Sequence, residues 1–169
     1  MKIIFLHGLE STPETSSTAK LIKETFEKLH YEVEVPDYKP STNSYDEIVE
    51  FLKGVSCDYG DVVIGISLGG FWALHMTEFT NATNVILLNP AIERGEVRYN
   101  IQLNTSVEVC GHLLLNMDDE VVINANNCIR YEGRFLIDAF RVGGHRMTNL
   151  NQLMPLIKAS VDHFESFIL

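Results

Sequence analysis

At 169 residues the chain is sized for one domain with a full core, and 46% hydrophobic and 21% charged residues are the proportions of a globular protein. A net charge of −10 argues against a nucleic-acid or anionic-membrane surface, both of which need clustered Lys and Arg. No apolar run reaches the ~18 residues of a membrane span, and the N-terminal run is shorter than a secretory h-region, so a cytoplasmic location is expected.

Lys2 to Leu6 is a short continuous apolar run, fit for a strand buried on both faces. His7-Gly8-Leu9 and a polar loop follow. Ala19, Ile22, Phe26 and Leu29 then recur at helical spacing. Tyr31 to Val35 reads as a strand near a sheet edge. Ser44 with Glu47 forms a capping-box start for a helix to about Val55, with Tyr45, Ile48, Val49 and Leu52 on one face. Asp61 to Ile66 is the third strand, Ser67 to about Phe79 the third helix, and Val85 to Leu88 a fourth strand stopped by Asn89-Pro90. Ala91 to Gly111 is the least legible stretch, with room for a short helix, an irregular loop or both. His112 to Met117 is a fifth strand. Asp118-Asp119-Glu120 ends it and is expected to open a helix through Cys128, since acids suit a helix N-terminus. Phe135 to Val142 is the sixth strand. An amphipathic helix carrying Leu150, Leu153, Met154, Ile157, Val161, Phe164 and Ile168 closes the chain, with Pro155 expected at its start or at a kink.

Strands alternating with helices imply an α/β fold: a mostly parallel sheet of about six strands, helices on both faces, in one domain over residues 1–169. Ligands of such sheets bind beyond the carboxyl ends of the strands. That rim carries Gly65-Ile66-Ser67-Leu68-Gly69, a G-x-S-x-G sequence at a strand-to-helix turn, the nucleophile-elbow pattern. Chance produces the pentapeptide in roughly one chain in twenty of this length, so its surroundings decide. A serine hydroxyl needs a base, and the base a carboxylate to orient it. In hydrolase chain order the acid follows the serine and the histidine follows the acid. Asp119 and His145 stand past later strands in that order. The developing oxyanion requires two backbone donors, for which the N–H groups of Leu68 and Leu9 are the candidates. The Leu9 side chain is also expected to line the acyl site.

Other residues carry blander expectations. His7 is read as bracing the oxyanion loop rather than as a second base. Arg94 and Arg98 could meet a substrate anion, with solvated arginines as the default. Phe71, Trp72 and Leu74 are read as core. Cys57, Cys110 and Cys128 lack metal or redox spacing and are expected as reduced, buried thiols. No metal-binding, P-loop or dinucleotide motif is present, so neither metal nor cofactor is expected.

The stretches Phe5-Leu6-His7-Gly8-Leu9-Glu10-Ser11-Thr12-Pro13, Gly65 to Ala73, Leu88-Asn89-Pro90-Ala91, Asp119-Glu120-Val121-Val122 and Gly144-His145 together resemble the alpha/beta-hydrolase superfamily, and within it the small bacterial esterase-like family of the YqiA/YcfP type. The resemblance implies an alpha/beta-hydrolase fold lacking its first two strands and any large lid. It implies a Ser67, Asp119, His145 triad acting on an acyl ester or thioester, a small-molecule substrate. Asp118, where such enzymes often carry Gly, leaves a second candidate acid. The open site implied by the short 91–111 segment favours a small or short acyl group. A hydrolase-fold binding protein with weak or vestigial catalysis is the alternative, and a peptidase or amidase a further one.

Overall fold

A computed structural model describes residues 1–166. Twelve elements alternate along the chain: β1 (Lys2–Leu6), α1 (Ser17–Glu27), β2 (Glu32–Glu34), α2 (Tyr45–Lys53), β3 (Val62–Ile66), α3 (Leu68–Met76), β4 (Asn84–Leu88), α4 (Ile92–Tyr99), β5 (Cys110–Asn116), α5 (Asn124–Tyr131), β6 (Leu136–Phe140) and α6 (Leu150–Glu165). The strands form one sheet in the order β2-β1-β3-β4-β5-β6, and every neighbouring pair is parallel. The short β2 takes one edge and the half-exposed β6 the other.

The apolar runs of the inner strands follow from burial on both faces. Ile4, Leu6, Val63, Val85 and Leu87 face Ile48, Leu52, Phe71 and Trp72 of α2 and α3. Ile3, Phe5, Val62, Ile64 and Ile86 face Ile22 and Phe26 of α1 and Ile157 and Val161 of α6. Each such side chain contributes about 1.5–3 kcal/mol by leaving water. The Ser44–Glu47 capping box opens α2 as its sequence dictates.

Two local expectations need correction and a third is narrowed. The acidic triplet 118–120 does not open a helix; α5 begins at Asn124 with no acid in its first turn. Asp119 Oδ1 instead accepts from the N–H groups of Val121 (2.7 Å) and Val122 (2.8 Å), which fixes a turn and delays the helix. Of the two places expected for Pro155, the start or a kink, the start is excluded: it lies inside α6. Only Cys57 of the three cysteines is buried; its thiol is pushed up to about 11, chiefly by burial, while Cys110 is exposed. The Ile168 position lies outside the described residues.

Three buried histidines tie stability to pH. Burial is the largest influence on His7, His75 and His112 and lowers each imidazole below its ordinary value of 6.5. Each takes up its proton at lower pH in the folded chain than in the unfolded one, which does so near 6.5. Unfolding therefore gains protons, and stability falls as pH drops through and below that value. Thermal unfolding followed by circular dichroism between about pH 7.5 and pH 5 should show a declining Tm. This window lies above the ordinary carboxylate range, so a flat or rising profile would contradict the assignment.

Candidate active site

The turn from β3 into α3 holds Ser67 at φ 54°, ψ −122°, a strained conformation for a residue with a side chain. The neighbouring backbones leave no space for larger residues on either side. A Cβ at Gly65 would stand 2.2 Å from the Gly69 carbonyl oxygen, and one at Gly69 would stand 2.1 Å from that of Leu6. The Ser67 carbonyl accepts from Gly70 N (2.9 Å) and Ala91 N (2.9 Å), and Ser67 N–H donates to Leu88 O (3.0 Å). The elbow is thus tied both to its own helix and to the end of β4.

The serine hydroxyl is half-buried, facing a groove at the carboxyl ends of the strands. Its Oγ lies 2.8 Å from His145 Nε2, and His145 Nδ1 lies 2.8 Å from Asp119 Oδ2. The Asp119 side chain is 1% exposed and that of His145 16%. With Nδ1–H donating to the carboxylate, Nε2 is the acceptor that faces the serine. The three groups come from the ends of β3, β5 and β6, residues far apart in sequence that the parallel ladder sets side by side.

Asp118 does something else. Its carboxylate accepts from Gly143 N (3.2 Å) and Gly144 N (3.0 Å), fastening the turn that delivers His145. Glu120 Oε2 accepts from His145 N–H (3.2 Å). Leu9 and Leu68 both line the groove beside Ser67. Leu68 heads α3, so its N–H has no carbonyl four residues back within the helix. Gly8 passes close by; a Cβ there would lie 3.6 Å from the Ser67 Cβ. His7 is fully buried beneath this loop, with Nδ1 3.0 Å from Gly8 O, and Tyr38 OH donates to the His7 carbonyl.

Sequence reasoning missed a buried asparagine network behind the histidine. Asn89, at φ 42° and fully buried, donates from Nδ2 to Gly144 O (2.9 Å) and His145 O (3.4 Å). Its Oδ1 accepts from Asn116 N (2.7 Å) and Asn124 Nδ2 (2.9 Å). Asn116 Nδ2 donates to Gly144 O (3.1 Å) and exchanges side-chain hydrogen bonds with Asn149. Asn124 Nδ2 also approaches Asp119 Oδ2 at 3.5 Å. The network therefore touches both the acid and the loop bearing the base. The one local signal was the Asn89-Pro90 break after β4, which resembles an ordinary strand terminator.

The 91–111 segment is not a formless rim. Its first part is α4, packed against α3 so closely that a Cβ at Gly95 would stand 2.3 Å from the Phe71 ring. Tyr99 stacks on Phe71 at 5.6 Å and meets Trp72 edge-on at 4.9 Å. Phe71, Trp72 and Leu74 are buried. The groove has a volume of about 1150 Å³, with α4 along one side and the loop leading into α1 along another. Among the described residues, no group of His, Cys, Asp and Glu could hold a metal ion, and no helix is long and apolar enough to cross a membrane.

Residues 2–132 match the profile of the uncharacterised protein family UPF0227. The chain belongs to that family. The matched span contains Ser67 and Asp119, while His145 lies beyond it. A search of curated proteins gives no match. Among solved structures, the ydeN gene product from B. subtilis is similar at a TM-score of 0.75 with 13% identity, over 98% of this chain and 100% of that one. Alpha/beta hydrolase domain-containing protein 10 from mouse is similar at 0.69 with 18% identity, over 96% and 90% of the two chains. Est1E from Butyrivibrio proteoclasticus is similar at 0.67 with 13% identity, over 96% and 86%. At these identities the likeness concerns the fold, and the fold of this UPF0227 member is that of the alpha/beta-hydrolase superfamily.

Proposed function

We propose that the protein is a serine hydrolase that cleaves a carboxylic ester or thioester through an acyl-enzyme. The observation that carries the reading is the unbroken chain from Ser67 Oγ to His145 Nε2 and from His145 Nδ1 to Asp119 Oδ2, each link 2.8 Å. Ser67 attacks the acyl carbon as His145 takes its proton. Asp119 holds the imidazole in the tautomer that accepts at Nε2 and stabilises the imidazolium that forms. The N–H groups of Leu68 and Leu9 hold the oxyanion. His145 returns the proton to the leaving group, then draws one from water as the hydroxide equivalent releases the acid. A short acyl group packs against the Leu9 side chain. No cofactor takes part.

A fluorophosphonate probe tests the proposal directly, because it captures only an activated serine. Wild-type protein should label, Ser67→Ala should not, and p-nitrophenyl acetate or butyrate should be turned over by the wild type alone. Folded wild-type protein that neither labels nor turns over either ester would overturn the assignment and favour a binding protein on a hydrolase frame.

A further inference from the structure

An N–H group is aimed by whatever grips the carbonyl of its own peptide. In a trans peptide the C=O and N–H bonds point in opposite directions, and no peptide is cis among the described residues. Contacts to the Ser67 carbonyl therefore set the direction of Leu68 N–H, and contacts to the Gly8 carbonyl set that of Leu9 N–H.

The two grips differ in kind. The Ser67 carbonyl is held by backbone alone: Gly70 and Ala91 N–H at 2.9 Å each, and Phe71 N–H at 3.4 Å. Those bonds belong to the elbow and to the end of β4, and no side-chain change removes them. The Gly8 carbonyl closes a turn with Ser11 N–H at 3.4 Å, longer than an ordinary N–H···O bond. Its two shorter contacts are side chains, His7 Nδ1 at 3.0 Å and Ser11 Oγ at 3.2 Å. A carbonyl oxygen can only accept, so the imidazole carries its proton on Nδ1 and the serine hydroxyl donates. One peptide earlier, the His7 carbonyl accepts from the buried Tyr38 hydroxyl.

Ser11 is half-buried and lines the groove together with Gly8, Leu9 and Ser67. Its hydroxyl makes one hydrogen bond among the described residues, the one to Gly8 O. At the far end of the gripped peptide, Leu9 N–H donates to no group among the described residues.

We infer that Ser11 is a positioning residue for acyl transfer: its hydroxyl, with His7, grips the Gly8 carbonyl and so aims the Leu9 N–H at the oxyanion. The inference rests on the proposed hydrolase reading. Donors fixed in advance stabilise developing charge without reorganising during the reaction. Without the Ser11 hydroxyl, the Gly8–Leu9 peptide keeps only the long turn bond and one side-chain contact, and it rocks about its flanking bonds. The full oxyanion relies on that donor more than the carbonyl of a bound ester does, so the loss falls on kcat and not on KM.

Ser11→Ala should lower kcat towards p-nitrophenyl butyrate by about tenfold with KM little changed, a fraction of the about 100- to 1,000-fold that follows loss of an oxyanion donor. Ser11→Thr keeps the hydroxyl and should restore most of kcat, which a merely structural loss of packing does not predict. A trifluoromethyl ketone, captured by Ser67 as a hemiketal oxyanion, should bind Ser11→Ala more weakly by about the same factor. Residual dipolar couplings of isotope-labelled protein read the direction of the bond itself without turnover. The Leu9 N–H coupling should change in Ser11→Ala while that of Leu68 stays. An unchanged Leu9 coupling in Ser11→Ala, or wild-type kcat in that variant, would overturn the inference. Wild-type protein that fails to label with a fluorophosphonate removes the hydrolase reading instead, a result on which the couplings do not depend.

Discussion

Asp119→Asn is expected to lower kcat towards p-nitrophenyl butyrate by about 10,000-fold, with KM little changed and the fold intact. The amide keeps the volume of the carboxylate but presents a donor or a neutral oxygen to His145 Nδ1, now 2.8 Å from Asp119 Oδ2. An amide donor there forces the proton onto Nε2, the nitrogen facing Ser67 Oγ, where it can no longer accept. Asp119 Oδ1 holds the Val121 and Val122 N–H groups, and the Asn Oδ1 can keep them only by turning its NH₂ toward the histidine. The turn and the wrong tautomer thus favour the same rotamer. Asp118→Asn is the paired measurement. It preserves one acceptor for the Gly143 and Gly144 N–H groups and should cost roughly tenfold or less, through looser delivery of His145. Loss of activity in Asp118→Asn alone would reverse the assignment of the acid.

The second large effect concerns Asn89. Asn89→Ala strands the Asn116 N–H, takes one of the acceptors of the Asn124 amide, which keeps Asn116 O, and removes the donor to His145 O and one of the two to Gly144 O. Each buried group left unpaired costs about 1–3 kcal/mol, and a domain of this kind has a net stability of about 5–15 kcal/mol. The substitution also places a Cβ-bearing residue without a polar side chain at φ 42°, at a further cost of about 1 kcal/mol. Asn89→Gly relieves that strain but not the hydrogen bonds. Urea denaturation of the two variants separates the contributions: both should fall well below wild type, with the alanine variant the less stable. Below the unfolding transition, Asn89→Gly should lose about 100-fold in kcat while KM changes little, because a displacement of about 1 Å in His145 is enough for that loss. A glycine variant with wild-type kcat would show that the network supports the fold without positioning the base.

What the sequence reveals about this site depends on how far apart the cooperating residues lie. The elbow is legible because its parts are contiguous: an apolar strand, two glycines and a serine. The order Ser67, Asp119, His145 is legible because strand ends on one rim must converge. The asparagine network is not, since Asn89, Asn116, Asn124 and Asn149 meet only through tertiary folding and asparagine is common in turns. Helix α4 is legible only as one alternative among others, for another reason. Gly95 lowers its helix propensity, yet the close approach to Phe71 demands that glycine. The helical signal was weakened by the very residue that lets the helix pack. The acid triplet misled because Asp119 spends one carboxylate oxygen on a turn and the other on His145, leaving none for a helix start.

The weld between α4 and α3 has a bearing on how molecules enter and leave. Gly95 is seated on Phe71, and Tyr99 is clasped by Phe71 and Trp72, so the wall above the serine is fixed before any ligand arrives. A pocket built without a hinge spends nothing on closing and waits for no gate to open. On the proposed acyl-enzyme route, discrimination between substrates then comes from shape and charge already in place, and the open groove leaves the acyl group within reach of water as the acceptor.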